Sequence, residues 1–339
     1  MEKIKISHLD LPIIRSCNLA CKGCITHSDH KNIKGIVRVE DSLEWMEFWS
    51  TKIDPGTITL FGGEPLLHPQ FAEWAEAVRD IWGLKKFPGV GQRLTVNTNG
   101  YYIDQLYDQI PRLFDASGGF TKIGKKVGLS IVVSIQTGIE PYLSKVKDNV
   151  EILKDKIIEF HMGLPNVRTA VWDLWLDEYE INTKRWYRLL VNGQRTHVGI
   201  TTCEQYKIHW CTHYKGHGET MEPVYEYNDQ WYEQNHARCQ AKDFVTLYKG
   251  TLWKCPPMGV LEHSLDTFGI ANKDIWTPYL KDYKTVSPLS SDEEIVEWFN
   301  LQKQPEKVCN MCGFSGPTSP TITAEERSHH LKNFWKYTL

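Results

Sequence analysis

Leu9-Asp10-Leu11-Pro12-Ile13-Ile14-Arg15-Ser16-Cys17-Asn18-Leu19-Ala20-Cys21-Lys22-Gly23-Cys24 puts an apolar segment directly ahead of three cysteines. Leu9 to Ile14 is short, branched and apolar, the pattern of a buried strand. The cysteines follow at C-x3-C-x2-C spacing. Thiolates this close on one loop can ligate three corners of a [4Fe–4S] cubane, which takes four ligands. No fourth cysteine follows nearby, so one iron would lack a protein ligand and stay open to a small molecule. The plain alternative is a fragment of a zinc site.

Further along, Thr57–Phe61, Leu94–Thr98, Leu129–Ile135 and Val167–Trp172 read as strands two to five, with Thr196–Thr201 as a sixth. Between them, Phe71, Trp74, Ala75, Val78, Ile81 and Trp82 recur at helical spacing. So do Ile103, Leu106, Tyr107, Ile110 and Phe114, with a kink at Pro111, and then Leu143, Val146, Val150, Leu153 and Ile157. Strand–helix repeats of this kind imply parallel crossovers, hence an α/β sheet or barrel. Ligands of such folds sit at the C-terminal ends of the strands. Gly62-Gly63-Glu64-Pro65, Thr98-Asn99-Gly100 and Ser134-Ile135-Gln136 stand at the ends of the second, third and fourth strands.

The cysteine spacing after the first strand, the Gly62-Gly63-Glu64-Pro65 turn and the ordered polar strand ends resemble the radical S-adenosylmethionine (SAM) superfamily over about residues 9 to 200. The resemblance implies a partial (β/α)6 TIM-like barrel and a SAM-binding [4Fe–4S] cluster on Cys17, Cys21 and Cys24. It implies that Glu64 and the Gly62 and Gly63 backbone receive the methionine ammonium, and that Asn99, Ser134 and Gln136 contact the rest of SAM. It also implies an enzyme that cleaves SAM to a 5′-deoxyadenosyl radical, which takes a hydrogen atom from substrate. An external donor such as flavodoxin or ferredoxin would supply the electron. Gly23 departs from the pattern, since this family usually carries an aromatic residue there.

From about residue 200 the texture changes, and the sequence divides into an expected barrel domain over 1–200 and a second domain over 201–339. His, Tyr, Trp and Cys become dense and helical periods fade. Phe244–Tyr248 and Thr251–Lys254 flank Lys249-Gly250, a β-hairpin signal. The hairpin lies between Cys239 and Cys255 and can bring both thiols to one centre, and Cys309-Asn310-Met311-Cys312 adds two more. These four cysteines resemble the auxiliary-cluster region of SPASM and Twitch radical SAM enzymes. No cysteine follows Cys312, which favours the shorter Twitch form with one auxiliary [4Fe–4S] cluster. A zinc ribbon is the alternative. Ser291-Asp292-Glu293-Glu294 is a capping box opening a helix through Ile295, Trp298 and Phe299. Cys203 and Cys211, near His197, His209, His213 and His217, match no defined site.

Composition narrows the functional classes. The chain has 339 residues, with Lys plus Arg 39 against Asp plus Glu 42, a balance that gives no electrostatic argument for nucleic acid or a membrane surface. Residues 1–16 lack the apolar core of a signal peptide, and no apolar run is long enough to span a bilayer. The chain is therefore read as soluble and cytoplasmic, in keeping with clustered rather than paired cysteines. The first expectation is an oxidoreductase that dehydrogenates a small polyol, sugar or nucleotide, with the auxiliary cluster as electron acceptor. Asp173, Asp177 and Arg168 around the fifth strand are the candidate proton-handling residues. Trp172 and Trp175 are placed at the cavity mouth, while Trp74 and Trp82 read as core. A peptide-modifying enzyme is less favoured, because the residues ahead of Cys17 leave no room for a leader-binding domain. The remaining alternatives are an epimerase using Cys203 or Cys211 as hydrogen donor, and a non-enzymatic zinc- or cluster-binding scaffold.

Overall fold

β1 (Ile4–Ile14), β2 (Ile53–Gly62), β3 (Arg93–Thr98) and β4 (Gly128–Ile135) lie side by side in chain order, all parallel. This is the arrangement in a computed structural model that describes residues 2–21, 24–30, 35–83, 93–116, 128–175, 184–205, 210–211, 214–216, 218–223, 227–228, 231–239, 242–270, 274–312 and 321–322. Parallel neighbours need long crossovers, and helices fill them. These are α1 (Leu43–Lys52), α2 (Phe71–Trp82), a 3-10 turn over 103–109 running into α3 (Ile110–Ala116), and α4 (Tyr142–Met162). The expected kink at Pro111 is this change from 3-10 to α winding.

The strands alternate, so the sheet has two unlike faces. Leu9, Leu11, Ile13, Ile58, Leu60, Leu94, Val96, Leu129, Ile131 and Val133 are buried in one cluster with Trp49, Trp74, Val78, Val146 and Ile157 of the helices. Burying each such side chain contributes about 1.5–3 kcal/mol. The other face carries His8, Asp10, Thr57, Thr59, Thr95, Asn97, Ser130 and Ser134, matched across the register pairs. A polar face toward the lumen and an apolar face toward helices is the division a partial barrel requires. The fold is mixed α/β on a parallel sheet, compatible with the TIM-like plan.

The order of strands beyond β4 corrects one expectation. β5 (Ala170–Trp175), β6 (Lys184–Val191) and β7 (Gln194–Glu204) form an antiparallel meander. β7 pairs with β4, and β5 lies at the far edge. The run read as the fifth parallel strand is thus an edge strand. The cause is a tight hairpin at Asn192-Gly193, both at positive φ, a turn that returns β6 onto β7.

At the opposite edge, hairpin strands β8 (Phe244–Tyr248) and β9 (Thr251–Trp253) join the same sheet, β8 running parallel to β1. Lys249 and Gly250 both have positive φ, as a two-residue hairpin turn needs. Among the described residues the sheet has nine strands, and it runs unbroken across position 200, which lies inside β7. Beyond that position helices do occur: α5 (Trp231–Arg238), α6 (Pro256–Thr267), a short α7 (Thr277–Leu280) and α8 (Asp292–Gln302). Ser291 caps α8 as expected, its Oγ accepting from Glu294 N while the Glu294 carboxylate accepts from Ser291 N. No helix among the described residues is long and apolar enough to cross a membrane.

Candidate active site

The loop after β1 delivers its thiols to the C-terminal ends of the parallel strands. Cys17, Cys21 and Cys24 line one cavity of about 160 Å³ with Gly62 and Gly63, Thr98 and Asn99, Ser134 and Gln136. Each thiol is held by its surroundings. Leu19 N donates to Cys17 Sγ at 3.4 Å, Cys21 Sγ lies 3.8 Å from Gln136 Oε1, and Cys24 Sγ lies 3.3 Å from Thr26 Oγ1. Burial pushes the Cys17 thiol well up, with Glu64 and Cys21 adding to it; burial likewise raises Cys24, with Asp29 adding. The metal-free Cys17 and Cys24 thiols are therefore protonated near neutrality, and metal binding would release their protons. Among the described residues no three His, Cys, Asp or Glu side chains are drawn together tightly enough to hold a single ion. Thiols spread round a cavity fit a polynuclear cluster, each on its own iron corner.

The glycine turn has a steric reason. A Cβ on Gly62 would lie 2.1 Å from Ile14 O, and one on Gly63 would lie 2.2 Å from Ser16 O. Both glycines are pressed against the end of β1, where Gly63 N donates to Ile14 O and Glu64 N to Ser16 O. This contact fixes where the cysteine loop begins.

Glu64 joins neighbouring strand ends. Its side chain is buried, and it is not in the cavity wall. The carboxylate accepts from Leu66 N at 3.0 Å, Thr98 Oγ1 at 2.7 Å and Asn99 N at 2.7 Å. Burial pushes this acid up to about 7 against the pull of those three bonds. Glu64 therefore ties the end of β2 to the end of β3. Asn99, so held, donates to Asn18 Oδ1 at 2.7 Å, with Cys17 Sγ at 3.8 Å, and its carbonyl accepts from Tyr142 OH at 2.5 Å. Asn18, Tyr142 and Gln205 belong to this site but had no signal in the spacing of the sequence.

Residues 11–168 match the family model of the radical SAM superfamily. They form a radical SAM domain. Such a domain brings a [4Fe–4S] cluster and SAM, and its chemistry is radical generation. Solved structures similar to the chain include BtrN in complex with AdoMet and 2-DOIA, at 13% identity and a TM-score of 0.43 over 95% of this chain and 97% of that one. Another is anSMEcpe with bound AdoMet, at 20% identity and a TM-score of 0.32 over 45% of this chain and 40% of that one. A third is anSMEcpe with bound AdoMet and Cp18Cys peptide, at 19% identity and a TM-score of 0.30 over 45% and 41%. Comparison with curated proteins gave no match.

The radical SAM domain does not bring Asp173 or Arg168 to the thiols. Asp173 pairs through Arg188 and Gly199 with Ser130, four residues before Ser134 on β4 and three strands away. That places it about 13 Å down the sheet and about 14 Å across it. There it lies 3.8 Å from Arg195. Arg168 precedes β5, and its backbone N–H donates to Asn192 Oδ1. Trp172 Nε1 donates to Lys154 O, so this ring packs on α4 rather than at the mouth. The cause is again the meander, which carries β5 to the sheet edge. Asp177, Gly23, His209, His213 and His217 lie outside the described residues, as do the side chains of Trp175 and Cys211.

The C-terminal cysteines gather beside the hairpin. Cys239 follows α5, Cys255 sits between β9 and α6, and Cys309 lies in a 3-10 turn over 307–311. Burial pushes the Cys255 thiol up to about 12, with Cys309 and Cys239 both adding to the rise. Cys312 N donates to Cys309 O at 3.2 Å, keeping the fourth cysteine on the same turn. Lys254 is buried next to them. Its ammonium donates to Gln302 O and Gln304 O, each at 2.9 Å, and pairs with Glu306 at 2.5 Å. A fixed ammonium beside several thiols favours their ionised form, which suits a thiolate-held cluster.

Proposed function

We propose that this radical SAM enzyme removes two electrons from a small hydroxylated molecule, a polyol, sugar or nucleotide. Cys239, Cys255, Cys309 and Cys312 would hold a second [4Fe–4S] cluster that takes one of those electrons. The observation that carries the reading is the set of half-buried cysteines beside the buried Lys254, in the same chain as the cysteine pocket of the sheet mouth. Cys17, Cys21 and Cys24 would hold the first cluster. The Gly62–Gly63 backbone, Asn99, Ser134 and Gln136 would face SAM, with Glu64 holding two of these strand ends in place. When bound, cluster and SAM supply a 5′-deoxyadenosyl radical that takes a hydrogen atom from a C–H bond.

The chain's residues then orient the substrate carbon and exclude water. As the C–H hydrogen leaves as an atom and the hydroxyl proton passes to water or a lumen side chain, the carbon–oxygen double bond forms. A cluster held by Cys239, Cys255, Cys309 and Cys312 would take the remaining electron. A reduced flavodoxin or ferredoxin would supply the electron that starts each turnover.

Anaerobic reconstitution tests this reading. About eight iron atoms per chain are expected for two cubanes. Incubation with reductant, SAM and candidate polyols should give 5′-deoxyadenosine that carries deuterium from the substrate, together with an oxidised product. Zinc alone, with no SAM cleavage, would defeat the proposal.

A second reading, epimerisation, rests on Cys203. It pairs opposite Ser134 on the lumen face, and Gln205 of the cavity wall donates to its sulfur at 3.3 Å. A thiol there could return a hydrogen atom. Under this reading Cys203→Ala would convert an inverted product into an oxidised one; under dehydrogenation it would change no product.

A further inference from the structure

Below the thiol cavity, on the same face of the sheet, lies a second and larger cavity of about 540 Å³. That volume falls within the usual range for small-molecule sites. Ser130 and Gly199 form its floor, and Arg93, Arg188 and Arg195 rise around it with Trp186 as a wall. The register explains why these groups meet. Ser130 pairs with Gly199, which pairs with Arg188, which pairs with Asp173; all four therefore face the lumen. Small residues on the two middle strands keep the floor low. At Gly128 a Cβ would lie 2.7 Å from His197 O and 3.4 Å from the Arg93 stem, so the strand leaves space for that stem to cross. A register shift in the β6–β7 pairing around 196–198 lets Arg195 face Asp173.

The charge of the cavity is unbalanced. Asp173 is the one carboxylate in the cavity's described lining, opposite Arg188 in the register and 3.8 Å from Arg195, a weak and screened pair between exposed side chains. Among the described residues neither Arg93 nor Arg188 has a hydrogen-bond or ion-pair partner. Three guanidiniums against one carboxylate leave the cavity lining net positive, and each planar guanidinium presents a fork of donors that takes an oxyanion in bidentate fashion. Trp186 adds a flat apolar face of the kind a sugar ring or base packs against.

We infer that this cavity is the substrate's anchoring end, and that the substrate carries a phosphate or carboxylate gripped by Arg93 and Arg188. The substrate role rests on the function proposed above; the binding of an anion does not. Ser130 and Ser134 stand four residues apart on β4, about 13 Å along the strand, so an anchored molecule would extend from the arginines toward the thiol cavity. The hydroxylated part would then lie at the mouth, where hydrogen abstraction is expected, and the anion at the foot.

The test uses the reconstituted, SAM-bound chain and calorimetric titration with ribose 5-phosphate, gluconate, inorganic phosphate, ribose and glucosamine. Ribose 5-phosphate or gluconate should bind at least tenfold more tightly than ribose or glucosamine, and whichever leads identifies phosphate or carboxylate as the source. R188M should weaken the leading anion at least tenfold, and the R93M/R188M pair should abolish it. R188K should recover part of the loss. R185M, on the opposite face of β6, should change nothing. SAM affinity, unaltered in every variant, shows that the fold is intact. Equal binding of ribose and its phosphate, or unchanged anion affinity in R93M/R188M, would overturn the inference. SAM cleavage reads the enzyme proposal separately. Anion binding without cleavage defeats that proposal and leaves the cavity assignment standing, whereas cleavage without anion preference does the reverse.

Discussion

At the mouth of the sheet, Cys17, Cys21 and Cys24 line an open cavity, and what holds them is a set of hydrogen bonds between strand ends. Beside the hairpin, Cys239, Cys255 and Cys309 gather round a buried ammonium whose bonds go to backbone carbonyls and one carboxylate. The first set has three thiols and space for a ligand. The second has a fourth cysteine on the same turn and a fixed charge beside its thiols. An iron–sulfur centre that must bind a small molecule needs the first arrangement; one that only passes electrons is better served by the second. The contrast teaches that vacancy and closure are set by the surroundings of the cysteines as much as by their number.

The sharpest way to break this contrast is to remove one thiol from each set. Cys21→Ala should reduce SAM cleavage to background, because a centre with two protein ligands is not expected to hold. Cys255→Ala should lose about four of the eight expected irons yet retain cleavage of SAM to 5′-deoxyadenosine. Its yield of oxidised product should fall to background. Iron analysis and separate quantification of 5′-deoxyadenosine and product check both outcomes. Loss of SAM cleavage in Cys255→Ala would show that the two sets are not separable in function.

Next in size is Lys254→Met. The variant leaves the half-buried Glu306 without its partner and frees the carbonyls of Gln302 and Gln304. Breaking a fully buried pair from one side costs about 3–5 kcal/mol, and the partial exposure of Glu306 puts this loss below that range. Urea unfolding of the iron-free chain should show that loss, and Lys254→Met with Glu306→Leu should recover part of it, since no lone charge remains. If Lys254→Met is as stable as the parent, the ammonium is not what closes the second site.

The two sites differed in how far the sequence exposed them. The thiol cavity was legible because its parts are local: a loop of eight residues, a glycine turn and two strand ends, each readable from spacing. The Ser291 cap and the Lys249-Gly250 hairpin were legible for the same reason. Asp173 was misplaced because pairing order is a long-range property. Asn192-Gly193 held the needed signal, since an Asn-Gly between two branched runs marks a hairpin. It would have turned the supposed parallel crossover into a meander. Glu64 shows a different limit. Its motif identifies the residue, yet whether the carboxylate faces ligand or neighbouring backbone depends on a rotamer that no spacing encodes. Arg93 and Arg188 lie 95 residues apart and meet only through the register of four strands.

The smallest effect concerns pH, and it separates the clamp of the first site from that of the second. Glu64 rises from an ordinary 4.5 to about 7 on folding because burial outweighs its three hydrogen bonds. A raised acid is protonated more readily in the folded chain than in the unfolded one. Its contribution to stability is therefore fully present below about pH 4.5 and lost as pH rises through about 7. The shift corresponds to roughly 3 kcal/mol over that window. Glu64→Gln removes the titration and also loses the acceptor for Asn99 N, a constant cost at every pH. The difference in unfolding free energy between parent and variant should thus change with pH between 5 and 8, the parent losing its advantage as pH rises. Lys254→Met should show no such slope over the same range, because its cost comes from an orphaned charge and not from a proton. Denaturant titrations of the metal-free proteins at three or more pH values would read both. A flat difference for Glu64→Gln would mean that the three hydrogen bonds keep this carboxylate ionised despite its burial, and that the two clamps work alike.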